Sequence, residues 1–268
     1  MSEYFENKVA VITGAASGIG LGITEELLKR GASAIFMGDF NEANLEKESD
    51  RLKSVYPGKV FPILTNVTKL DEVQNLISKA KERGGQIDFL FNNAGMGMTL
   101  PTEVITFEIW RYIVELNLMG VVYGTYCAIP IMKEQRCGHI ITTASLAGKV
   151  PFPYQAVYTA TKSAVISMME SLQYELESYG LSFSYICPGN VNTPIFAGIQ
   201  APADSVSIED AVEYIIAEVE KKSLGIIFPE TARIIDYLYR EKRDDFDKLM
   251  KKMADERREN YRTKGTYI

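Results

Sequence analysis

Val9-Ala10-Val11-Ile12-Thr13-Gly14-Ala15-Ala16-Ser17-Gly18-Ile19-Gly20 stands near the start of this 268-residue chain, and its reading decides the rest. The apolar run Val9 to Ile12 makes a short buried strand, and Gly14, Gly18 and Gly20 follow it at once. Glycines there remove side chains that would hold a ligand off the backbone. A helix beginning beside them turns its free N–H groups toward an anion. Ile23, Leu27 and Leu28 recur at the helical period and mark the inner side of that helix. Strand, glycine turn and helix in this order predict a seat for a dinucleotide pyrophosphate, with Ser17 and Ile19 inside the turn. Relative to the usual fingerprint, the gap before the second glycine is two residues longer and the gap after it one shorter.

Beyond this unit, strand-like and helix-like segments alternate to the far end of the chain. That pattern predicts an α/β fold, a doubly wound Rossmann-type parallel sheet of about seven strands with helices on both faces. The strands are expected at Val9 to Thr13, Ala34 to Asp39, Val60 to Val67, Ile87 to Asn92, His139 to Ser145, Ser182 to Cys187 and Gly225 to Pro229. Thr68 with Asp71, and Ser207 with Asp210, read as helix caps, while Gly31 and Pro57-Gly58 close the first two helices. No linker or repeat divides the chain, so residues 1–268 are expected to form one cofactor-binding and catalytic domain. A charged helical tail starts at about 231, with Phe246, Leu249, Met250 and Met253 on one face. Packing on the body or on a second subunit is the expected role of that tail, and a lid over the substrate mouth the alternative.

The composition, 46% apolar and 24% charged, supports one large core. A net charge of −6 with both signs interspersed leaves no basic face for nucleic acid and little attraction to an anionic membrane. The N-terminus lacks the apolar stretch of a signal peptide, and the run from Gly120 to Met132 is too short to span a bilayer. A cytoplasmic protein without integral membrane association is expected. Cys127, Cys137 and Cys187 lack metal or redox spacing and read as reduced, mostly buried thiols. His139 is the only histidine and is expected at a strand edge, so no metal site is expected.

Asp39 ends the second expected strand, about 20 residues past the glycine turn, where an acid can hold both hydroxyls of an adenosine ribose. No basic residue neighbours it to receive a 2′-phosphate, which predicts NAD as the cofactor. Tyr158 and Lys162 lie four residues apart and Ser145 thirteen before the tyrosine. One helical turn brings the ammonium beside the phenol. The phenol has a pKa near 10 and needs roughly 3 to 4 kcal/mol of anion stabilisation to act as a base at neutral pH. That stabilisation is expected from Lys162 together with the positive charge of an oxidised nicotinamide. Ser145 can donate to the same substrate oxygen, and Asn117 can anchor a water that carries the proton away.

Thr13-Gly14-x-x-x-Gly18-Ile19-Gly20, Asn92-Asn93-Ala94-Gly95, Asn117, Ser145, Tyr158-x-x-x-Lys162 and Pro188-Gly189-x-Val191-x-Thr193 occur in order. Together they resemble the short-chain dehydrogenase/reductase family in its compact single-domain branch. The resemblance implies that Tyr158 is the general acid/base, that Lys162 holds the nicotinamide ribose and assists it, and that Ser145 orients the substrate oxygen. It implies that Asn117 completes a proton relay, that Asn93 and Asn66-Val67 flank the adenosine half, with Gly95 in the same cofactor motif, and that Val191 and Thr193 meet the nicotinamide amide. Asn66 departs from the family's common aspartate, and the chain lacks the glycine-rich ending usual in members that make fatty-acid precursors. A homotetramer or homodimer through the helices carrying Trp110 and Tyr158 is likewise implied.

These readings predict an NAD-dependent oxidoreductase that interconverts a secondary alcohol and a ketone. Met96, Met98, Leu100, Leu146, Val150, Phe152, Tyr154, Ile195, Phe196 and Ile199 are expected around the nicotinamide, so a small apolar alcohol or ketone is expected, such as a hydroxysteroid, lipid or cyclic alcohol. The segment from Pro194 to Val206 is expected to close over it. A non-catalytic NAD-binding scaffold or redox sensor is the alternative from another class, and a lyase or epimerase on the same fold a third.

Overall fold

The computed structural model describes residues 3–194 and 201–267. Its centre is a parallel sheet of β1 (Val9–Thr13), β2 (Ala34–Asp39), β3 (Val60–Leu64), β4 (Phe89–Asn92), β5 (Gly138–Thr143), β6 (Leu181–Pro188) and β7 (Gly225–Phe228). The spatial order is β3-β2-β1-β4-β5-β6-β7. The chain therefore winds outward from β1 in one direction and from β4 in the other, leaving a crevice at the carboxyl ends where the winding reverses.

Side-chain alternation explains why helices cover both faces. Along β1, Ala10 and Ile12 join one core with α1 (Gly18–Lys29), α2 (Glu42–Val55) and α7 (Ile208–Glu220). Val9 and Val11 join the other core with α3 (Leu70–Gly84), α5 (Gly120–Gln135) and α6 (Ala156–Leu176). Ile35 and Met37 divide from Ala34 and Phe36 in the same way along β2. A period of two thus buries every β1 and β2 position, and each fully buried aliphatic side chain contributes about 1.5 to 3 kcal/mol.

Among the boundaries that differ from expectation, three have clear local reasons. β3 stops at Leu64 because Asn66 Oδ1 accepts from Thr68 N and from its hydroxyl, turning the chain out of the sheet. Thr68 is thereby spent and caps nothing; α3 begins after Lys69 with Asp71 and Glu72 in its first turn. β5 ends at Thr143, and Ser145 instead caps a single 3₁₀ turn, Leu146–Gly148, by accepting from Ala147 N at 3.1 Å. Ser207 caps α7 as expected, accepting from Asp210 N at 3.0 Å.

Gly120 to Met132 belongs to a longer continuous helix than its apolar run indicated. α4 (Phe107–Val114), one π-helical turn (Glu115–Met119) and α5 run together over 29 residues, long and apolar enough to cross a membrane by length and composition. Within the fold it is a helix of the body: Ile113, Asn117, Val121, Gly124, Thr125, Ala128 and Met132 are buried in it. The charged tail forms α8 (Glu230–Glu241) and α9 (Arg243–Lys264), separated at Lys242. Of the cysteines Cys187 is buried and Cys127 half-buried, whereas Cys137 is exposed, against the expectation of general burial.

Candidate active site

The glycine turn is shaped by close approach. Gly14 and Gly18 have φ of +65° and +54°, a region glycine enters without a Cβ penalty. A Cβ on Gly14 would stand 3.0 Å from Ala94 Cα, and one on Gly20 would overlap the Gly14 carbonyl. Ser17 precedes α1 with its side chain exposed and making no cap, and Ile19 packs half-buried on the core below. The turn therefore presents the start of α1 to solvent with no side chain spent on its free N–H groups, the arrangement a pyrophosphate requires.

Neighbouring side chains hold this turn in place. Asp39, buried at the end of β2, accepts from Ala16 N and from Asn41 N, each at 3.0 Å, one with each carboxylate oxygen. Asn93 donates from Nδ2 to the Thr13 and Gly14 carbonyls and accepts from Thr143 Oγ1 at 3.0 Å. Its amide thus ties β1, the turn and β5 together. Thr13 Oγ1 accepts from the amides of Asn93 and Ala94, a bracing role that sequence reasoning did not assign. The signal available was its place at the strand end immediately before Gly14.

Asn66 N donates to Glu72 Oε2 at 2.7 Å, and Val67 turns its side chain into the core against Gly120. Val191 is buried and bridges to Val206, while Thr193 lies over the glycine turn, in contact range of any Cβ placed on Gly18.

Next to the turn, four stretches of chain bring polar groups together. Lys162 is buried in α6 and donates from Nζ to the Thr143 carbonyl at 2.7 Å. Gly95 is confined between Asn117 and Lys162: a Cβ there would stand 2.9 Å from Asn117 Oδ1 and 3.5 Å from Lys162 Nζ. Asn117 occupies the π-helical turn, and its amide pairs twice with Met96, donating to the carbonyl and accepting from the N–H, both at 2.9 Å. Its side chain is therefore occupied in holding the stretch after β4. The Ser145 hydroxyl stands near enough to the Tyr158 phenol to lower its pKa.

Burial pushes the Tyr158 phenol above its usual pKa, and the Ser145 hydroxyl counters this in part. The Lys162 ammonium lies 5.8 Å from the Tyr158 ring centroid, so the lowering expected of lysine and nicotinamide together does not come from the lysine alone. Lys162 itself is brought down to about 8 by burial. A protonated phenol beside a hydroxyl donor is set to give a proton to a carbonyl oxygen, and to take one back once positive charge is added nearby.

The expected apolar mouth divides in two. Met98 and Leu100 cluster with Ile105, Ile109, Val157 and Tyr158. Leu146, Val150 and Phe152 instead pack with Ala232, Phe246 and Met250 of the tail. Ile195, Phe196 and Ile199 lie outside the described residues, as do residues 195–200 of the expected lid, whose far end is tied back where Val206 bridges Val191. His139 is remote from this site: it is buried in β5, hydrogen-bonded to Tyr4 OH at 3.1 Å and Ser184 Oγ at 2.8 Å.

Comparison with known proteins agrees with this geometry. Residues 8–204 match the short chain dehydrogenase family. A 3beta-hydroxysteroid dehydrogenase 2 of Eggerthella lenta is 35% identical over 211 residues, covering 76% of this chain and 80% of that protein. A short chain dehydrogenase/reductase from Burkholderia phymatum, solved with NAD, superposes with a TM-score of 0.82 at 28% identity, over 91% of this chain and 96% of that one. A Burkholderia cenocepacia short chain dehydrogenase solved with NADP gives 0.80 at 27% identity, over 92% and 98%. The glycine turn fits a nicotinamide dinucleotide, NAD or NADP, because only a Cβ-free backbone leaves its α1 entrance open. Fold, motif order and relatives converge, and this chain belongs to the short-chain dehydrogenase/reductase family of oxidoreductases.

Proposed function

We infer that the protein oxidises an apolar secondary alcohol, or reduces the matching ketone, with NAD preferred over NADP. The observation that carries this reading is the meeting of the Ser145 hydroxyl and the Tyr158 phenol, with Lys162 held between Thr143 and Gly95 beside the glycine turn. NAD, when bound, accepts or returns the hydride. Ser145 donates to the substrate oxygen and fixes it, while the Tyr158 oxygen takes the alcohol proton or gives one to the ketone. Lys162, anchored on the Thr143 carbonyl, keeps a positive charge near the phenol and reaches the ribose side of the cofactor. Asn117 positions the Met96 stretch and so the wall beside the substrate.

Asp39 supports NAD, since a 2′-phosphate about 4 Å away would be repelled by roughly 4 kcal/mol at an effective dielectric near 20. The apolar cluster of Met98, Leu100, Ile105 and Ile109 beside Tyr158 supports a hydroxysteroid, lipid or cyclic alcohol, and the Eggerthella relative is a hydroxysteroid dehydrogenase by name. A homo-oligomer is part of this reading: Phe107, Trp110 and Tyr112 expose apolar surface on α4 that a second copy would cover.

The test is a panel of secondary alcohols followed by NADH absorbance, repeated with NADP and with Tyr158→Phe. Turnover that prefers NAD and vanishes in the variant is expected. Tight NAD binding without turnover of any alcohol or ketone would leave a scaffold instead.

A further inference from the structure

We propose that the segment from Arg257 to Tyr267 is a brace that sets the shape of the substrate mouth, with Tyr267 acting on Tyr154 as a positioning residue. Two stretches flank Tyr158 on its substrate side, residues 96–101 after β4 and 149–155 before α6. They are tied to each other. Leu100 N donates to the Tyr154 carbonyl at 2.8 Å, and Gln155 Nε2 donates to Thr99 Oγ1 at 2.8 Å. Tyr154 also has φ of +63°, a left-handed conformation that aromatic residues seldom adopt. Such a residue persists where its surroundings over-determine it.

Its surroundings come from the C-terminal segment. The Tyr154 ring stacks on Tyr267 at 4.9 Å, and Tyr267 stacks on Tyr261 at 4.3 Å with their planes 7° apart. The Arg257 guanidinium donates to the Pro153 carbonyl, and Arg258 hydrogen-bonds the Tyr154 phenol. Arg257 is half-buried in that contact, and burial lowers its pKa. One helix turn after another earlier in α9, Phe246 is the residue it buries fully, against Leu146 and Val150 of the same loop.

Besides this loop, α9 packs on α8, where the Tyr239 ring meets Phe246 at 4.9 Å and Arg243 at 4.8 Å. Its remaining ion pairs join Arg243 to Asp247, Lys248 to Asp245, Lys252 to Glu256, Arg258 to Asp255 and Arg262 to Glu259, all within the helix. A highly charged helix that satisfies itself internally, and reaches the body mainly at the loop leading into Tyr158, is placed to hold that loop. Large apolar substrates lean on both stretches at once, so they depend on the brace more than small ones do. The kinetic part of this inference rests on the dehydrogenase reading above.

Tyr267→Ala and Tyr267→Phe test it. Hydrogen exchange reads the loop without needing activity: the hydrogen-bonded amides of Leu100, Val150 and Gln155 are expected to exchange at least about tenfold faster in Tyr267→Ala and at the original rate in Tyr267→Phe. For a bulky cyclic secondary alcohol, KM is expected to rise about tenfold in Tyr267→Ala with kcat changed less than about threefold, and a short secondary alcohol to change less than about twofold. NADH affinity, read by fluorescence, stays the same. Unchanged exchange, equal damage to both alcohols, or a Phe variant as impaired as the Ala variant would overturn the brace. Should Tyr267→Ala fail to fold, Tyr261→Ala removes the outer ring alone and must show the same pattern at smaller size. If the unaltered protein turns over no alcohol, the dehydrogenase reading falls, and the exchange measurement still decides the brace.

Discussion

The seat between β1 and α1 and the mouth around Tyr158 share one end of the sheet but are built from different materials. The seat is made of backbone. Its shape comes from positive φ at Gly14 and Gly18, from the absence of side chains, and from Thr13, Asp39 and Asn93 bonding peptide groups nearby. The proposed mouth draws on side chains from four stretches, residues 96–101, the π-helical turn, 145–155 and α6, with the C-terminal segment as its proposed brace. A backbone seat tolerates little change in the turn and much change elsewhere. A mouth of distant side chains can be reshaped at many positions without unfolding the sheet, which is how one fold serves many substrates.

The difference predicts which mutations separate binding from chemistry. The largest effect is expected from Tyr158→Phe, which removes one oxygen from the mouth. Turnover should fall by at least about a hundredfold, the lower end for general acid/base catalysis, with NADH affinity kept. A variant retaining near-normal turnover would take the proton-transfer role away from Tyr158. Gly20→Ala should do the converse. Its Cβ overlaps the Gly14 carbonyl, and relief by backbone shift costs about 1 to 3 kcal/mol, so NADH affinity should drop roughly 5- to 150-fold in a fluorescence titration. Wild-type affinity in that variant would mean that the seat is softer than its geometry indicates.

Asp39→Ala is a smaller probe of the seat. Removing the carboxylate should narrow the NAD over NADP ratio of kcat/KM by about tenfold, since most of the repulsion from a 2′-phosphate is screened. It should also loosen the turn, because the bond from Ala16 N is lost. An unchanged ratio would move cofactor choice to another residue.

His139 supplies a control that touches neither region. Burial holds its imidazole down to about 3, against about 6.5 in an unfolded chain. Between those values the unfolded state binds a proton that the folded state does not, so stability falls as pH drops from about 6.5 toward 3, by up to about 1.4 kcal/mol per pH unit. Urea midpoints should show this acid slope, and His139→Gln should flatten it while leaving the pH profile of turnover in place. An equal slope in the variant would assign acid sensitivity to other groups.

How far the sequence reached follows the same division. The seven strands, their approximate limits and the glycine turn were legible because each is local: a run of apolar residues, a strand-ending acid, a glycine where a Cβ would collide. Misplaced ends fell where a side chain competes with the ladder, as Asn66 does beyond β3. The pairing of Asn117 with Met96, the anchoring of Lys162 on Thr143 and the bracing by Thr13 carry weaker signals, since each joins segments separated along the chain.

The sequence by itself determined the fold class and the family, and supplied the residue types on which the proposed function rests, because periodicity and ordered motifs are properties of short segments. Only the tertiary structure decided the rest. It showed that burial raises the pKa of the Tyr158 phenol, that Leu146 and Val150 pack against the tail, and that Tyr267 stacks on Tyr154. Desolvation and ring stacking depend on what the whole chain places around a group, and no local pattern in the sequence records that.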